Sequence, residues 1–216
     1  MLTTSDRLLI LGVIAYSAFI FWLPLGLPYP TYKWWVSEAG PIEIAAPFLW
    51  LAAAAVLAVR IRPFTRRTLA FVVLFVLFAA REDDLHKRFT SQGIFKLDYY
   101  KHGTDPAMVR VIAGMIALFF IGLCVYALIV VSMRFLLREG GLKSRSGMWL
   151  ALAWVMLIVT KVVDRSKAVL GQIFGITYPP EIDWMVPSFE EGYESLAPIL
   201  FMASAWISQA ERKYLS

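Results

Sequence analysis

Charge is scarce in this chain, and so are the residues of soft-metal and redox chemistry. Only 17% of its 216 residues are charged, against about 25% in an ordinary soluble domain, while 59% are hydrophobic and the mean hydropathy is +0.65. That balance excludes a soluble globular domain and leaves an integral membrane protein. The single cysteine, Cys124, lies inside an apolar run, so no intramolecular disulfide can form and the residue reads as small core packing. With only His86 and His102, a histidine-rich membrane hydroxylase is excluded. A di-iron carboxylate centre, which wants a Glu-x-x-His on each of two helices, is disfavoured. There is no P-loop, dinucleotide fingerprint, Cys-x-x-Cys or nucleophile elbow, and Ser195 has no histidine near it in sequence. His102, within YYKHGTD, reads as exposed.

What is present is a series of six apolar runs: Leu8 to Leu27, Ile44 to Val59, Thr68 to Ala80, Val111 to Met133, Ser146 to Thr160 and Ser195 to Ala210. The first is too long for a signal core and has no small-x-small cleavage pattern after it, so it reads as a retained helix. The expected fold is all-α: one integral membrane domain over 1–216, a bundle of six transmembrane helices over about 7–28, 40–60, 67–88, 108–134, 146–168 and 189–210. The third run is the informative one, because it has 13 residues where a membrane helix needs about 20. Its helix is therefore expected to continue through Arg81, Glu82, Asp83, Asp84 and His86.

Basic residues set the expected orientation. Arg60, Arg62, Arg66 and Arg67 crowd one short link, and Arg134, Arg138, Lys143 and Arg145 another, with Arg7 and Arg212 and Lys213 near the termini. Both termini and these links are then cytoplasmic, the pattern of a bacterial inner-membrane, multi-pass protein. The net charge of +5 thus reports topology, and no nucleic-acid partner is expected. The opposite loops carry Tyr29, Trp34, Tyr99 and Trp184, as an interfacial aromatic belt would, and the Gly- and Pro-rich stretch from Gly171 to Ser188 is expected to lie over the site or along the interface.

Of the acidic residues, only Asp6, Glu139 and Glu211 fall on the cytoplasmic side. The others include Glu38 and Glu43 before helix 2, Glu82, Asp83 and Asp84 after helix 3, Asp164 at the end of helix 5, and Glu190, Glu191 and Glu194 at the start of helix 6. Ionisable groups sunk toward lipid from several helices are costly and mark a functional site by default. The catalytic candidates are Glu43, Glu82, Asp83, His86, Asp164, Glu190 and Glu194. Helical spacing lets His86 share a face with Glu82 or Asp83, and Glu190 with Glu194. Glu82, Asp83, His86, Glu190 and Glu194 are accordingly candidate ligands for a divalent cation, Zn²⁺, Ca²⁺ or Mg²⁺. Glu38, Arg81, Lys87, Arg88 and Arg165 are candidates for headgroup contacts or ion pairs, and Asp164 is expected to pair with Lys161, Lys167 or a base from helix 3.

The motifs GPIE at Gly40 to Glu43, EDDLHKR after helix 3, DRS at Asp164 to Ser166 and EEGYE at the last helix resemble a class of multi-pass bacterial inner-membrane proteins of unassigned function. That resemblance implies location and carries no activity. The several histidines of the alkaline ceramidase-like group and the arginine and histidine motifs of lipid phosphatases are missing. Three functions are consistent with the residues. The first is an enzyme or binding protein at the outer, periplasmic face, with metal-dependent hydrolysis or transfer on a lipid or lipid-linked substrate as its chemistry. The second is an accessory subunit whose ion-pair network docks a membrane protein partner. The third, an ion or proton transporter, lacks polar groups continuing toward the cytoplasm. The topology is open to test: with cysteines at Ser91 and Ser144 in a Cys124→Ser background, only the first should react with an impermeant thiol reagent added from outside.

Overall fold

In the computed structural model, which describes residues 3–37 and 40–215, every regular element is helical. The side chains of His86, Pro180, Glu181 and residues 209–215 lie outside that description, as does Glu38 altogether. The long elements are α1 (Thr4–Gly26), α3 (Pro41–Arg60), α4 (Arg66–Glu82), α6 (Ala107–Val125), α8 (Arg145–Phe174) and α9 (Pro180–Leu215). Between them lie the short helices α2 (Tyr29–Trp35), α5 (Leu97–His102) and α7 (Arg134–Arg138). Four segments are long and apolar enough to cross a membrane: α1, α3, the continuous stretch Ala107–Arg138 and α8. Their large side chains face outward as well as inward, with Leu11, Phe48, Leu118 and Ile158 among many exposed apolar residues, which is the surface a lipid solvent demands.

Local chemistry sets the helix starts. Thr3 and Asp6 form a capping box at α1, and Thr65 and Thr68 do the same at α4. Gly40 and Pro41 begin α3, and a side chain at Gly40 would strike the Trp34 and Trp35 carbonyls at 2.4 and 2.6 Å. The interior is aromatic. Trp50 stacks on Phe78 with ring centroids 4.4 Å apart, and Phe75 meets Phe201 at 4.9 Å. Of the alanine run from Ala52 to Ala55, Ala53 and Ala54 are buried against α4 and α9, the close-packing role expected of small residues.

Several element bounds differ from expectation, and each difference has a local cause. Helix α4 ends at Glu82 and does not continue through Asp83, Asp84 and His86. Asp83 caps it, Asp84 takes a left-handed conformation (φ 49°), and Leu85–Arg88 form a separate 3₁₀ turn. Three successive carboxylates oppose the negative end of the helix dipole, and aspartate tolerates the left-handed region, so this is where the helix stops. Helix α8 runs on to Phe174, where Gly175 closes it in the left-handed conformation (φ 65°), and α9 begins at Pro180. The expected loop from Gly171 to Ser188 is thus mostly helix, because Pro180 sits at a tolerated helix start and Lys167 bonds Asp183 at 2.5 Å across the junction. The fourth apolar run is helical as expected but passes through π-helical turns over Tyr126–Met133, where Ser132 donates to the Ala127 carbonyl at 2.8 Å and accepts from Trp154 Nε1 at 2.9 Å.

The loop after α4 has its own anchor. Ser91 N–H and Tyr99 hydroxyl donate to Asp105 at 2.8 and 2.9 Å, and these bonds hold the Asp105 carboxyl below its ordinary range. His102 is exposed, as its loop context implied.

Ion pairs sort the two ends of the bundle. Arg145 binds the buried Asp6 through Nε at 2.6 Å and Nη2 at 2.7 Å, tying the starts of α1 and α8 together. Arg67 reaches Glu139 at 3.9 Å and Arg60 lies over the Trp206 ring at 3.2 Å, so these groups share that end. Asp6→Asn should leave the Arg145 guanidinium without its bidentate partner and cost about 3 kcal/mol of stability. Thermal unfolding in detergent checks this, and Asp6→Asn combined with Arg145→Met should recover part of the loss.

Candidate functional site

At the other end of the bundle the chain ends and starts that carry charge come together around a polar cavity of about 290 Å³. Each wall has a simple origin. The first turn of α3 supplies Glu43, the last turn of α4 supplies Arg81 and Glu82, and one face of α9 supplies Glu190, Glu191 and Glu194. Helix α8 contributes Arg165, and the loop after α4 contributes Asp84, Lys87, Gly93, Phe95 and Lys96.

Glu194 is the centre of the arrangement. It is 5% exposed and takes Arg81 Nη2 at 3.5 Å on one oxygen and Lys161 on the other. Arg81 also faces Glu82 at 3.5 Å, and Lys161 reaches Glu190 at 3.8 Å. A buried carboxylate flanked by two cations is compensated, and the pair of bridges joins α4, α8 and α9 at one depth. Six carboxylates and four bases line the cavity, so acid remains in excess there. Glu191, half-buried in the wall, has no described lysine or arginine within 4.0 Å. Ser195, one residue beyond Glu194, is buried with its hydroxyl 2.7 Å from Tyr16 Oη and donating to the Gly192 carbonyl at 2.9 Å. That hydroxyl serves helix packing.

The residues singled out from sequence divide unevenly. Glu43, Glu82, Glu190, Glu194, Arg81, Lys87 and Arg165 line the polar cavity. Asp83 does not: it is exposed and bonded to Arg88 at 2.9 Å, because the helix ends before it and turns it outward. Arg88 is spent on the same surface pair. Asp164 pairs with its neighbour Arg165 at 3.6 Å, and not with Lys161, Lys167 or a base from α4, since those two lysines go to α9. Glu38 and the His86 side chain lie outside the described residues. Among the described residues no three carboxylate, cysteine or histidine side chains are grouped to hold a metal ion. Glu82 and His86 also no longer share a helical face, because the helix between them is broken.

Lys161 and Glu191 were visible in the sequence as members of a charge cluster, but nothing in their spacing marked the first as the partner of Glu194 or the second as the acid left over. Phe95 and Lys96 had no sequence signal, because a loop's path across a helix end follows from tertiary contacts.

Beside the polar cavity an apolar groove of about 930 Å³ lies between the α6 segment and α8, lined by Phe120, Cys124, Leu128, Ile158, Val162 and Val169. Arg81, Phe95 and Arg165 line both spaces, so the two adjoin at those side chains. Comparison with protein-family models, curated proteins and solved structures finds no match.

Lys161→Met should leave the buried Glu194 with Arg81 as its one remaining cation and lower stability by about 2 kcal/mol. Asp164→Asn, which breaks an ion pair to the exposed Arg165, should stay within about 0.5 kcal/mol of the parent protein. Paired melting curves in detergent decide between these, and equal losses would place Asp164 in the network.

Proposed function

We propose that this chain is a six-helix, multi-pass inner-membrane protein with both termini cytoplasmic, and that its carboxylate site at the outer face binds or acts on a lipid or lipid-linked substrate. The observation that carries this reading is the adjoining of a polar cavity to an apolar groove at Arg81, Phe95 and Arg165. An amphiphile needs that combination: apolar volume for its tail, with charged groups at the boundary for its head. Six crossings are favoured by the contacts that gather the starts of α1, α4 and α8 and the end of α3 on one side of the bundle, and the end of α4 with Lys161 of α8 and Glu194 of α9 on the other. Helix α4, at 17 residues, covers about 25 Å, so its Arg81 and Glu82 reach only the edge of the hydrocarbon.

Glu191 is the group best suited to proton transfer, being half-buried beside the cavity with no described lysine or arginine within 4.0 Å. Arg81 and Lys161 position Glu194 and so shape the cavity. A divalent cation remains part of the proposal through Glu82, Glu190, Glu194 and His86. Such an ion would supply a Lewis acid beside the excess carboxylates.

The accessory-subunit reading is favoured by one observation, the way Glu194 knits three helices. A single series of measurements separates the readings. Purified protein is incubated with membrane lipid extract, and bound and released species are followed by mass spectrometry, with metal content measured before and after chelator dialysis. Selective lipid retention or turnover that Glu191→Gln reduces about tenfold or more, with melting unchanged, is the expected result. Unselective lipid content, indifferent to Glu191→Gln, would sink the proposal in favour of the accessory role, and a melting point and metal content unmoved by chelator would remove the cation.

A further inference from the structure

The geometry points to a two-chain phospholipid with an amine-bearing headgroup as the ligand of this site, an inference that rests on the lipid reading above and narrows it. Three spaces, not two, meet at Arg81 and Phe95. Besides the polar cavity and the groove along α8, a second apolar pocket of about 590 Å³ lies between α4, α6 and the loop after α4, with Leu77, Ile94, Val109, Ile112 and Ile116 in its walls. Both apolar spaces fall in the roughly 300–1,000 Å³ range of ligand sites. Phe120 lines both and is held by edge and tilted contacts to Phe78 at 5.1 Å and Phe95 at 5.3 Å, so it stands as a partition between them. A single tail would use one pocket. Two tails diverging from one polar junction match the pair.

The order of charges along the path assigns the head. Arg81 and Arg165 line the boundary between groove and polar cavity, where the phosphate of a phospholipid sits relative to its chains. Arg165 is 76% exposed and its acidic neighbour Asp164 is 3.6 Å away, which leaves its guanidinium accessible. The cavity residues that do not also line the groove are mainly acidic, with Glu43, Glu82, Asp84, Glu190, Glu191 and Glu194 against Lys87 and Lys96. A headgroup that is anionic at the boundary and cationic beyond it complements this sequence of charges, whereas a purely anionic headgroup would meet acid on acid.

The test uses the full chain in detergent, delipidated and then offered phosphatidylethanolamine, phosphatidylglycerol and lyso-phosphatidylethanolamine at equal concentration, with retained lipid read by native mass spectrometry. Phosphatidylethanolamine should be retained about tenfold over phosphatidylglycerol, and Glu191→Gln should bring that ratio close to one. Ile112 is 46% exposed, so Ile112→Trp fills the second pocket without a core clash. It should abolish the preference for two chains over one while lyso-lipid binding persists. Equal retention of the two headgroups, or a two-chain preference that survives Ile112→Trp, overturns this inference and leaves a less specific lipid site standing. Retention of no lipid at all overturns the lipid reading itself along with it.

Discussion

A carboxylate buried at the junction of three helices organises this protein. Glu194 on α9 lies between Arg81 of α4, which also faces Glu82 at 3.5 Å, and Lys161 of α8. An unpaired charge at that depth would cost several kcal/mol, so the three helices are bound to one relative height and rotation by the need to keep the group compensated. The Trp50, Phe75, Phe78 and Phe201 cluster lies on the inward side of this junction and fills the space the helices leave. Apolar packing supplies the area of contact, and the ion pairs set its register.

The bilayer accounts for the rest of the arrangement. With no water to receive exposed amides, each segment that enters lipid satisfies its backbone internally, and breaks in helical structure are confined to the ends. The breaks here have a purpose in that setting. Helix α4 stops at Glu82, and the chain then passes over the helix ends through Phe95 before α5 and α6. This detour brings Phe95 against Phe120 and encloses the polar cavity on a side the long helices leave open. At the opposite end the buried Asp6 with Arg145, and the exposed pair Arg67 and Glu139, hold the links together. The two ends therefore differ in kind: one is a clasp, the other encloses space.

Acid outnumbers base around that space. Carboxylates in a partly desolvated wall repel one another unless a cation, a proton or water intervenes, and each of these is a form of chemistry open to the site. Arg81 and Arg165 stand where the polar and apolar spaces adjoin.

Much of the architecture was legible in the residues. Runs of apolar side chains determine membrane helices because lipid offers the backbone no alternative, and the clustering of Glu43, Glu82, Glu190 and Glu194 followed from their shared position at one end of those runs. Gly40 and Pro41 marked a helix start for reasons local to the chain. Other features needed the tertiary structure. Local spacing allowed Asp164 to bond Lys161 or Lys167, but both lysines are drawn to α9, whose acids on a packed neighbouring helix outcompete the one on their own helix. The end of α4 separates Asp83 from Glu82 by one residue in sequence and by the difference between a surface and a cavity in space. Periodicity and composition are properties of one segment and are written into it. Which charge finds which partner, and whether two grooves meet at one arginine, depends on helices brought together from distant parts of the chain.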